Sequence, residues 1–356
     1  MSLESYFDSF TDRDWSRMDN TEPVRFALVG LGWWVHEQAM PAIEQSDFCE
    51  TSVLVSRSAD KAEEAASGHD SIIGISADDY HAGEYADSYD AVYVCTPNAT
   101  HLDYVESAAA QGKAVLCEKP MEVSSERAKR LIAACDEANV LLYVAYRMHT
   151  EPAVRRAKEL IDEGFIGDPV QIHGGMSGPL LDLVPDTDQW RLDADLAGGC
   201  AMMDLGIYPL NTSRFLLDSD PEAVYGATHT VHPAFEEVDE HVGFHIEFPD
   251  DVAAVCTASH GSYMSSHLRI LGTAGELTLD PIFYPWNDRE IRVRGHGASG
   301  QISFEQANQM TEEFEYFATC LRTNTDPVAT GHHGLVDIRA IEAVYESAKT
   351  GERITL

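Results

Sequence analysis

The sequence predicts an α/β protein that begins with a doubly wound parallel sheet and continues into an α+β domain with a large, mostly antiparallel open sheet. Between Val24 and Ala145, short apolar runs alternate with helical patterns, which is typical of parallel sheets. The first apolar run leads into Gly30-Leu31-Gly32, a turn that joins a strand to a helix. Between Ala223 and Val293, β-type runs follow at hairpin spacing with few helices, which favours an antiparallel sheet.

The first part of the chain contains six predicted strands and the helices that connect them. Each strand is a short apolar run, whereas the helices carry charged residues on one face. The predicted strands are 25–29, Thr51–Ser56, Ser71–Ile75, Ala91–Cys95, Ala114–Cys117 and Val140–Ala145. The predicted helices are Val35–Gln45, Ala59–Ala66, His101–Gln111 and Ser124–Ala138, the last opening with a Ser-Ser-Glu-Arg start signal.

The pattern changes after Tyr146. A helix is predicted over Pro152–Glu163, and a second over Gly198–Leu217 that Gly206 and Pro209 should bend. The predicted strands are one starting at Val170, then Tyr225–Val231, Val242–Phe248, Ala253–Ser259, Leu268–Leu271, Glu276–Leu279 and Glu290–Val293, and the closing helices are Met310–Leu321 and Leu335–Ala348. The predicted domains are therefore an N-terminal extension (1–22), a nucleotide-binding domain (23–148) and a substrate and oligomerisation domain (149–356).

The chain is strongly acidic. Its 356 residues include 60 Asp and Glu against 24 Lys and Arg, a formal charge of −36. Six of those 24 are Lys, which leaves 18 Arg. Proteins that bind nucleic acids or anionic membranes need basic surface patches, so neither is expected as a partner. Charge repulsion is relieved by screening at high salt, so we expect a salt-requiring protein of a halophile; an ordinary acidic enzyme is the alternative.

Cysteine usage and hydropathy indicate the compartment. The seven cysteines are odd in number and no pair has CxxC spacing, which argues against a disulfide framework or a zinc site. The acidic N-terminus lacks the features of a signal peptide, and no apolar run approaches the length of a membrane span. The fifteen histidines form no metal-ligand pattern. We expect a cytoplasmic protein without a metal.

The glycine turn is the first candidate binding site. Two glycines after a strand permit a tight turn and a close approach of backbone to a pyrophosphate, which the helix N-terminus attracts. This is the Rossmann fingerprint, imperfect because Val35 replaces the third small residue. Alone the motif is weak, but six βα-type units follow it. The candidate dinucleotide contacts in this turn are Gly30, Leu31, Gly32, Trp33, Trp34 and Val35.

The end of the second strand indicates which dinucleotide is bound. Sites that select NAD usually carry Asp or Glu here to bind the ribose 2′-hydroxyl. This chain has Ser56 and Arg57, with Lys61 shortly after. A hydroxyl, a planar guanidinium and an ammonium suit a 2′-phosphate. We therefore predict a preference for NADP, with a solvated loop as the alternative.

Two further motifs carry candidate reactive groups. Glu118-Lys119-Pro120 follows a buried strand directly, and ligands bind beyond the carboxyl ends of such strands. Asp204, Tyr208 and Asn211 are spaced along one predicted helix after a glycine pair, so they share a face if the helix is regular. The alternatives are a surface ion pair for the first motif and a solvated stripe for the second.

The residues alone do not decide the roles of two dipeptides. Trp190-Arg191 could stack on a ring and grip a phosphate or carboxylate, or be a core Trp beside a surface Arg. Tyr146-Arg147 follows the last parallel strand, where the topology predicts the mouth of the crevice.

Taken together, these motifs resemble the family of glucose–fructose oxidoreductase, inositol dehydrogenase and the rhizopine-catabolism proteins. The resemblance runs from about Val24 to the C-terminus. Many members carry His where this chain has Tyr208, and Tyr resembles the branch with glucose–fructose oxidoreductase, dimeric dihydrodiol dehydrogenase and the sugar 1-dehydrogenases. The motifs that carry the resemblance are Gly30-Leu-Gly, Thr96-Pro-Asn-Ala-Thr-His101, Glu118-Lys-Pro120, Tyr146-Arg147, Trp190-Arg191 and Gly199 through Tyr208.

The resemblance implies an NADP-dependent oxidation of an aldose at C1, with D-xylose as the expected sugar, in a homo-oligomer (dimer or tetramer). It implies Lys119 and Tyr208 as the catalytic pair, with the lysine charge favouring the phenolate that accepts a proton. Asp204 would hold sugar hydroxyls or orient Lys119, and Asn211 would also contact substrate. The positions implied to line the cofactor are Thr96, Pro97, Asn98, His101, Glu118, Lys119, Arg147, Trp190 and Arg191.

Three alternatives remain within this resemblance. The substrate could be another sugar or polyol, or a dihydrodiol. The chain could also be a nucleotide-binding regulator without turnover, as some family members are. Retention of both Lys119 and Tyr208 argues against the regulator.

Overall fold

The structure is a computed structural model that describes residues 22–69, 71–303 and 306–356. The described residues form two compact units. The first unit contains those up to Arg147 together with Asn308–Leu335, and the second contains Met148–Ala307 and Val336–Leu356. The predicted N-terminal extension, apart from its last residue, lies outside the described residues.

The first unit is built on a parallel sheet, as the sequence predicts. Among the described residues its strands are β1 (Val24–Val29), β2 (Cys49–Ser56), β3 (Ile73–Ser76), β4 (Ala91–Val94), β5 (Ala114–Glu118) and β6 (Leu142–Ala145). Their order is β3-β2-β1-β4-β5-β6, with every neighbouring pair parallel. This is the doubly wound Rossmann order. From β1 the chain adds β2 and β3 on one side, and it then adds β4, β5 and β6 on the other side.

Helices connect these strands. They are α1 (Met40–Glu44), α2 (Ala59–Ala66), α3 (Ala77–His81), α4 (His101–Ala110) and α5 (Ser125–Ala138). A π-helical turn, Val35–Ala39, leads into α1. Ser58 and Ser124 cap α2 and α5 by accepting backbone N–H bonds, which confirms the start predicted at Ser124.

The second unit is built on a larger sheet. Its strands are β7 (Pro169–Ser177), β8 (Ala223–His229), β9 (His241–Glu247), β10 (Ala253–Ser259), β11 (Ser265–Gly272), β12 (Gly275–Leu279), β13 (Glu290–Gly295), β14 (Ala298–Ser303) and β15 (Ile354–Thr355). Their order is β14-β13-β12-β11-β7-β10-β9-β8-β15. β7 and β10 run parallel, and the other described neighbours run antiparallel. The mostly antiparallel open sheet is therefore confirmed.

Alternating burial along β9 and β10 shows that this sheet has one buried face. The helices of this unit include α6 (Pro152–Asp162), α7 (Leu180–Leu183), α8 (Ala194–Ala197) and α9 (Ile207–Leu217), with a π-helical turn at Met202–Gly206 before α9. A Cβ added to Gly174 of β7 would lie 2.9 Å from Cβ of Pro209. Helix α9 therefore packs directly on the sheet.

Two helices close the chain, α10 (Gln309–Thr323) and α11 (Gly331–Thr350). The sequence assigned all of 149–356 to the second domain, but Asn308–Leu335 packs with the first unit. The reason is aromatic packing across a long sequence separation: the rings of Phe314 and Phe317 lie 5.2 and 5.6 Å from the ring of Phe26 in β1. No helix among the described residues has the length and apolarity needed to cross a membrane.

Candidate functional site

The glycine turn after β1 has the shape that a phosphate group needs. Gly30 has a φ of +96°, and a Cβ at this position would lie 2.2 Å from the carbonyl oxygen of Cys95. Only glycine fits there. A Cβ added to Gly32 would meet nothing within 4 Å. Because the turn is open at Gly32 and leads into a helical segment, the residues present fit a dinucleotide pyrophosphate.

The residues after the turn divide between the surface and the core. Leu31 and Val35 are buried, whereas Trp33 is 60% exposed. The helix starts with the π turn that begins at Val35. This wider turn coincides with the bulky residue that departs from the usual fingerprint.

Trp34 connects the turn to the Glu118-Lys119-Pro120 motif. Its indole N–H donates to the hydroxyl of Tyr93 over 3.1 Å. The Tyr93 hydroxyl donates to Oε1 of Glu118 over 2.6 Å, and the backbone N–H of Lys119 donates to Oε2 over 3.0 Å. Burial raises the pKa of Tyr93 well above its ordinary value, so this hydroxyl keeps its proton. Glu118 therefore fixes the peptide that carries Lys119.

The side chain of Arg147 contacts the ring of Trp34. Its guanidinium is buried and lies 5.1 Å from the centre of the Trp34 ring, a cation–π contact. Its Nε donates to Oε1 of Gln309 in α10 over 2.9 Å. The structure thus shows Arg147 supporting the start of the first helix, and its direct contact with a cofactor stays a prediction.

Glu313 of α10 is a buried carboxyl group that sequence reasoning missed. Burial raises its pKa well above 4.5, and the negative charge of Glu118 adds to the rise while Arg147 opposes it. Its carboxylate oxygens have no hydrogen-bond partner among the described residues. A Glu four residues after a helix start gives no sequence signal of burial.

The three residues predicted to bind a 2′-phosphate occupy different environments. Arg57 is exposed, and within the described ranges no hydrogen bond or ion pair engages its guanidinium. Ser56 accepts the backbone N–H of Ser58 over 3.3 Å. The Lys61 ammonium donates to the carbonyl oxygen of Leu31 over 2.6 Å. Arg57 is therefore available for an anion, whereas Lys61 also supports the glycine turn.

The segment after β4 is held by its own side chains. The Thr100 hydroxyl donates to Oγ1 of Thr96 over 2.9 Å. His101 is fully buried, and its ring nitrogens lie 2.9 and 3.2 Å from the carbonyl oxygens of Thr96 and Met121. Burial lowers the pKa of His101. The structure makes His101 a link between two loops, and its cofactor contact, like those of Thr96, Pro97 and Asn98, stays a prediction.

A buried ion pair that sequence reasoning missed stabilises the same loops. Glu122 is fully buried and pairs with Arg127 over 2.9 Å. Glu122 also accepts the backbone N–H of Leu102 over 3.2 Å, and Arg127 donates to the carbonyl oxygen of Ala99 over 2.6 Å. The available sequence signal for this ion pair was two opposite charges, Glu122 and Arg127, five residues apart on either side of a helix start.

In the second unit, Asp204 lies in the π turn and Tyr208 near the start of α9. The sequence argument assumed a regular helix, but a π turn contains an extra residue, so the regular i, i+4 spacing does not apply here. Tyr208 is 8% exposed, and its ring centre lies 5.6 Å from that of Phe283. Lys119 belongs to the first unit and Tyr208 to the second, so their pairing stays a prediction.

Asp204 is the centre of a charged cluster. Its Oδ2 lies 3.2 Å from Nε of Arg191 and 3.3 Å from Nε2 of His260. The Arg191 guanidinium lies 4.6 Å from the centre of the Trp190 ring. Arg191 was predicted to grip a phosphate or carboxylate, and the carboxylate that it binds here is that of Asp204. His260 is a lone histidine after a strand, and no sequence signal marked it.

The glycine pair before this helix makes its close approach inside the protein. A Cβ added to Gly199 would lie 2.1 Å from the hydroxyl of Tyr345. That hydroxyl donates to Asp239, whose carboxylate accepts the backbone N–H groups of Cys200 and Met202, each over 2.7 Å. The pair therefore gives room for a buried cap on the helix start.

Asn211 lies in a buried polar network. It is 2% exposed, its amide nitrogen donates to Asp337 over 2.8 Å, and its amide oxygen lies 2.8 Å from Nε2 of His149. Asp337 also pairs with Arg214 over 2.7 Å. The polar stripe thus has partners within the protein, and we remove Asn211 from the proposed substrate contacts.

Family models match both parts of the chain. An oxidoreductase family with an NAD-binding Rossmann fold (GFO_IDH_MocA) matches residues 24–146, and the GFO/IDH/MocA C-terminal domain matches residues 154–278.

Individual proteins match over nearly the whole length. The chain is 54% identical to D-xylose 1-dehydrogenase [NADP(+)] of Haloarcula marismortui, covering 100% of both chains. It is 30% identical to D-xylose 1-dehydrogenase (NADP(+)) 2 of Haloferax volcanii, covering 94% of this chain and 100% of that one. Among solved structures, aldose-aldose oxidoreductase from Caulobacter crescentus complexed with glycerol superimposes with a TM-score of 0.87 at 28% identity, covering 94% and 100% of the two chains.

Proposed function

The chain belongs to the GFO/IDH/MocA family of oxidoreductases, and from this premise we propose that it is an NADP-dependent aldose 1-dehydrogenase that oxidises D-xylose to its lactone. The observation that carries the proposal is the end-to-end similarity to a haloarchaeal D-xylose 1-dehydrogenase. The Gly30–Gly32 turn and the exposed Arg57 support the cofactor assignment. The identity of the sugar rests on the relatives alone.

The proposed cofactor contacts follow from the first unit. The open turn at Gly32 would take the pyrophosphate, and the Arg57 guanidinium would take the 2′-phosphate. NADP⁺, when bound, supplies the hydride acceptor, so that loss of the C1 hydrogen with its electron pair and of the hydroxyl proton converts a cyclic aldose into a lactone. The hydrogen-bonded Trp34–Tyr93–Glu118 chain would hold the backbone at Lys119 in place during this reaction.

We assign the proton transfer to Tyr208 and Lys119. The phenolate of Tyr208 would accept the proton of the C1 hydroxyl, and the positive charge of Lys119 would favour that phenolate. Asp204 would hold a sugar hydroxyl, since a carboxylate is a strong hydrogen-bond acceptor. The support for these roles is the chemistry of the groups and the family resemblance.

We also propose a cytoplasmic, salt-requiring homo-oligomer. The formal charge of −36 supports the salt requirement because repulsion between acidic groups is screened by concentrated salt. One face of the second sheet is exposed at alternating positions such as Tyr225 and Val255, which supports association through that sheet.

The test of this function is an activity panel with the full chain in about 2 M and about 0.1 M KCl, salt concentrations that differ widely in screening. D-Xylose, D-glucose, L-arabinose, myo-inositol and a dihydrodiol are each offered with NADP⁺ and with NAD⁺, and reduced nicotinamide is followed by absorbance. We expect the highest kcat/KM for D-xylose with NADP⁺ at high salt. A dihydrodiol or inositol as the best substrate would replace the sugar assignment. Tight NADP⁺ binding without any turnover would indicate a nucleotide-binding regulator and overturn the proposal.

A further inference from the structure

An arginine and a histidine side chain approach the same carboxylate oxygen of Asp204. Arg191 Nε and His260 Nε2 lie 3.2 and 3.3 Å from Oδ2. The Asp204 side chain is 25% accessible, while His260 is 5% exposed. The Arg191 side chain is 32% accessible, so Asp204 and Arg191 both reach solvent, whereas His260 lies within the protein.

The backbone holds His260 in place. It follows Ser259, the last residue of β10, and its N–H donates to the carbonyl oxygen of Glu240 over 2.9 Å. The carbonyl oxygen of His260 accepts the N–H of Leu180 at the start of α7, also over 2.9 Å. These two bonds fix the backbone from which the imidazole projects.

Backbone hydrogen bonds also hold Asp204 in place. It lies in the π turn, and π turns inside helices are frequent at functional sites. Its backbone N–H donates to the carbonyl oxygen of Cys200 over 2.8 Å, and the N–H of Cys200 is in turn held by the buried carboxylate of Asp239 over 2.7 Å. Tyr208 follows four residues later on the same helical segment.

A carboxylate that recognises a hydroxyl must be fixed in one orientation, because a small displacement of a positioning group costs much of its effect. Arg191 lies against the Trp190 ring and is partly exposed. The imidazole of His260 is a rigid ring and is buried. His260 Nε2 lies 3.3 Å from Oδ2 and is buried without a hydrogen bond to any described residue. Contacts to a catalytic group often tighten into hydrogen bonds only when substrate binds.

We propose that His260 is a positioning residue that, together with Arg191, orients the Asp204 carboxylate toward a hydroxyl of the bound aldose. This inference rests on the proposed function, since it names the contact that selects a polyhydroxylated substrate. His260 acts only through Asp204 and touches neither cofactor nor substrate itself.

The test is a double-mutant cycle with His260→Ala and Asp204→Asn in the full-length enzyme. His260→Ala should raise the KM for D-xylose by about 10- to 100-fold, the effect of losing a hydrogen bond to a charged group, with a smaller change in kcat and the same Kd for NADP⁺. His260→Gln should restore much of the KM, because its amide can still donate to Asp204. His69→Ala, at an exposed position between α2 and β3, is the matched control and should leave the KM unchanged.

The double variant decides the inference. If His260 acts through Asp204, adding His260→Ala to Asp204→Asn should have almost no further effect on KM. Multiplicative effects of the two substitutions, or a wild-type KM in His260→Ala, would overturn the positioning role while the proposed function stands. Calorimetric titration of D-xylose into the NADPH-bound variants gives the same comparison without turnover. A wild-type protein that neither binds nor oxidises any aldose would overturn the proposed function, and the inference with it.

Discussion

The ammonium nitrogen of Lys61 lies 2.6 Å from the carbonyl oxygen of Leu31, in the middle of the glycine turn. Arg57, four residues earlier, is exposed and free of ion pairs within the described chain. The two cations were predicted to share one task, recognition of a 2′-phosphate. These environments show that Lys61 also supports the turn, and we expect Arg57 to be the main determinant of cofactor choice.

Arg57→Ala should therefore weaken NADP⁺ binding by about 10- to 100-fold, the effect of a lost charge-assisted contact, and leave NAD⁺ binding nearly unchanged. Lys61→Met should weaken both, because the turn that binds the shared pyrophosphate loses its support. Titrations of the two dinucleotides against both variants give the comparison. Equal losses of NADP⁺ and NAD⁺ affinity in Arg57→Ala would contradict the assignment.

The two glycines of the turn should respond differently to alanine. Gly30→Ala places a Cβ 2.2 Å from a backbone carbonyl oxygen at a φ of +96°, so we expect a clear drop in the unfolding midpoint. Gly32→Ala meets no protein atom within 4 Å, so stability should be kept while NADP⁺ affinity falls, because the methyl group enters the space proposed for the pyrophosphate. Thermal unfolding and cofactor titration measure the two effects. A Gly32→Ala variant that binds NADP⁺ normally would place the phosphates elsewhere.

Tyr208→Phe should lower kcat by about 10²- to 10⁴-fold, the range for loss of a general acid or base. NADP⁺ binding should not change, since the substitution removes only a hydroxyl in the second unit. Steady-state kinetics with D-xylose and a cofactor titration measure the two quantities. Full activity in this variant would remove Tyr208 from the mechanism.

Glu313 should make stability depend on pH. Its pKa in the folded protein is raised well above 4.5 by burial, so the folded chain holds a proton that the unfolded chain releases. Its contribution to stability is full below about pH 4.5 and is lost as the pH rises through the raised value. Glu313→Gln imitates the protonated form at every pH, so its unfolding free energy relative to wild type should increase by up to about 1.4 kcal/mol per pH unit across that window. Denaturant unfolding from acidic to mildly basic pH measures the difference, and a constant difference would show that Glu313 is ionised in the folded state.

Local sequence patterns predicted those parts of the fold that are determined by residues close together in the sequence. The buried run before Gly30 and the apolar runs of β4 and β5 predicted the parallel sheet correctly. The binding edge, marked by the polar residues after those strands, stays a prediction. The sequence did not predict contacts between residues that are far apart in the chain. Helix α10 packs on β1 through Phe314 and Phe317, and the periodicity of a helix does not show which sheet it will contact. Edge strand β14 is mostly exposed and lacks the apolar alternation that marks a strand.

The site was predicted in part for the same reason. Gly30, Arg57 and Glu118 lie at strand ends, where the topology alone indicates function. Asn211 shares a helix with Asp204 and Tyr208, but its partners His149 and Asp337 come from distant parts of the sequence. His260 is adjacent to Asp204 only after the second sheet has folded. Polar residues on a helix can satisfy either a ligand or the core, and sequence spacing does not distinguish the two.

The central claim is that the chain removes hydride from C1 of an aldose and transfers it to NADP⁺. The most direct test is single-turnover oxidation of D-xylose deuterated at C1, followed by mass analysis of the reduced cofactor. The account predicts that the deuterium is recovered in the reduced nicotinamide and that xylonolactone or its hydrolysis product forms in equal amount. Reduced cofactor without deuterium, or a product oxidised at another carbon, would contradict it.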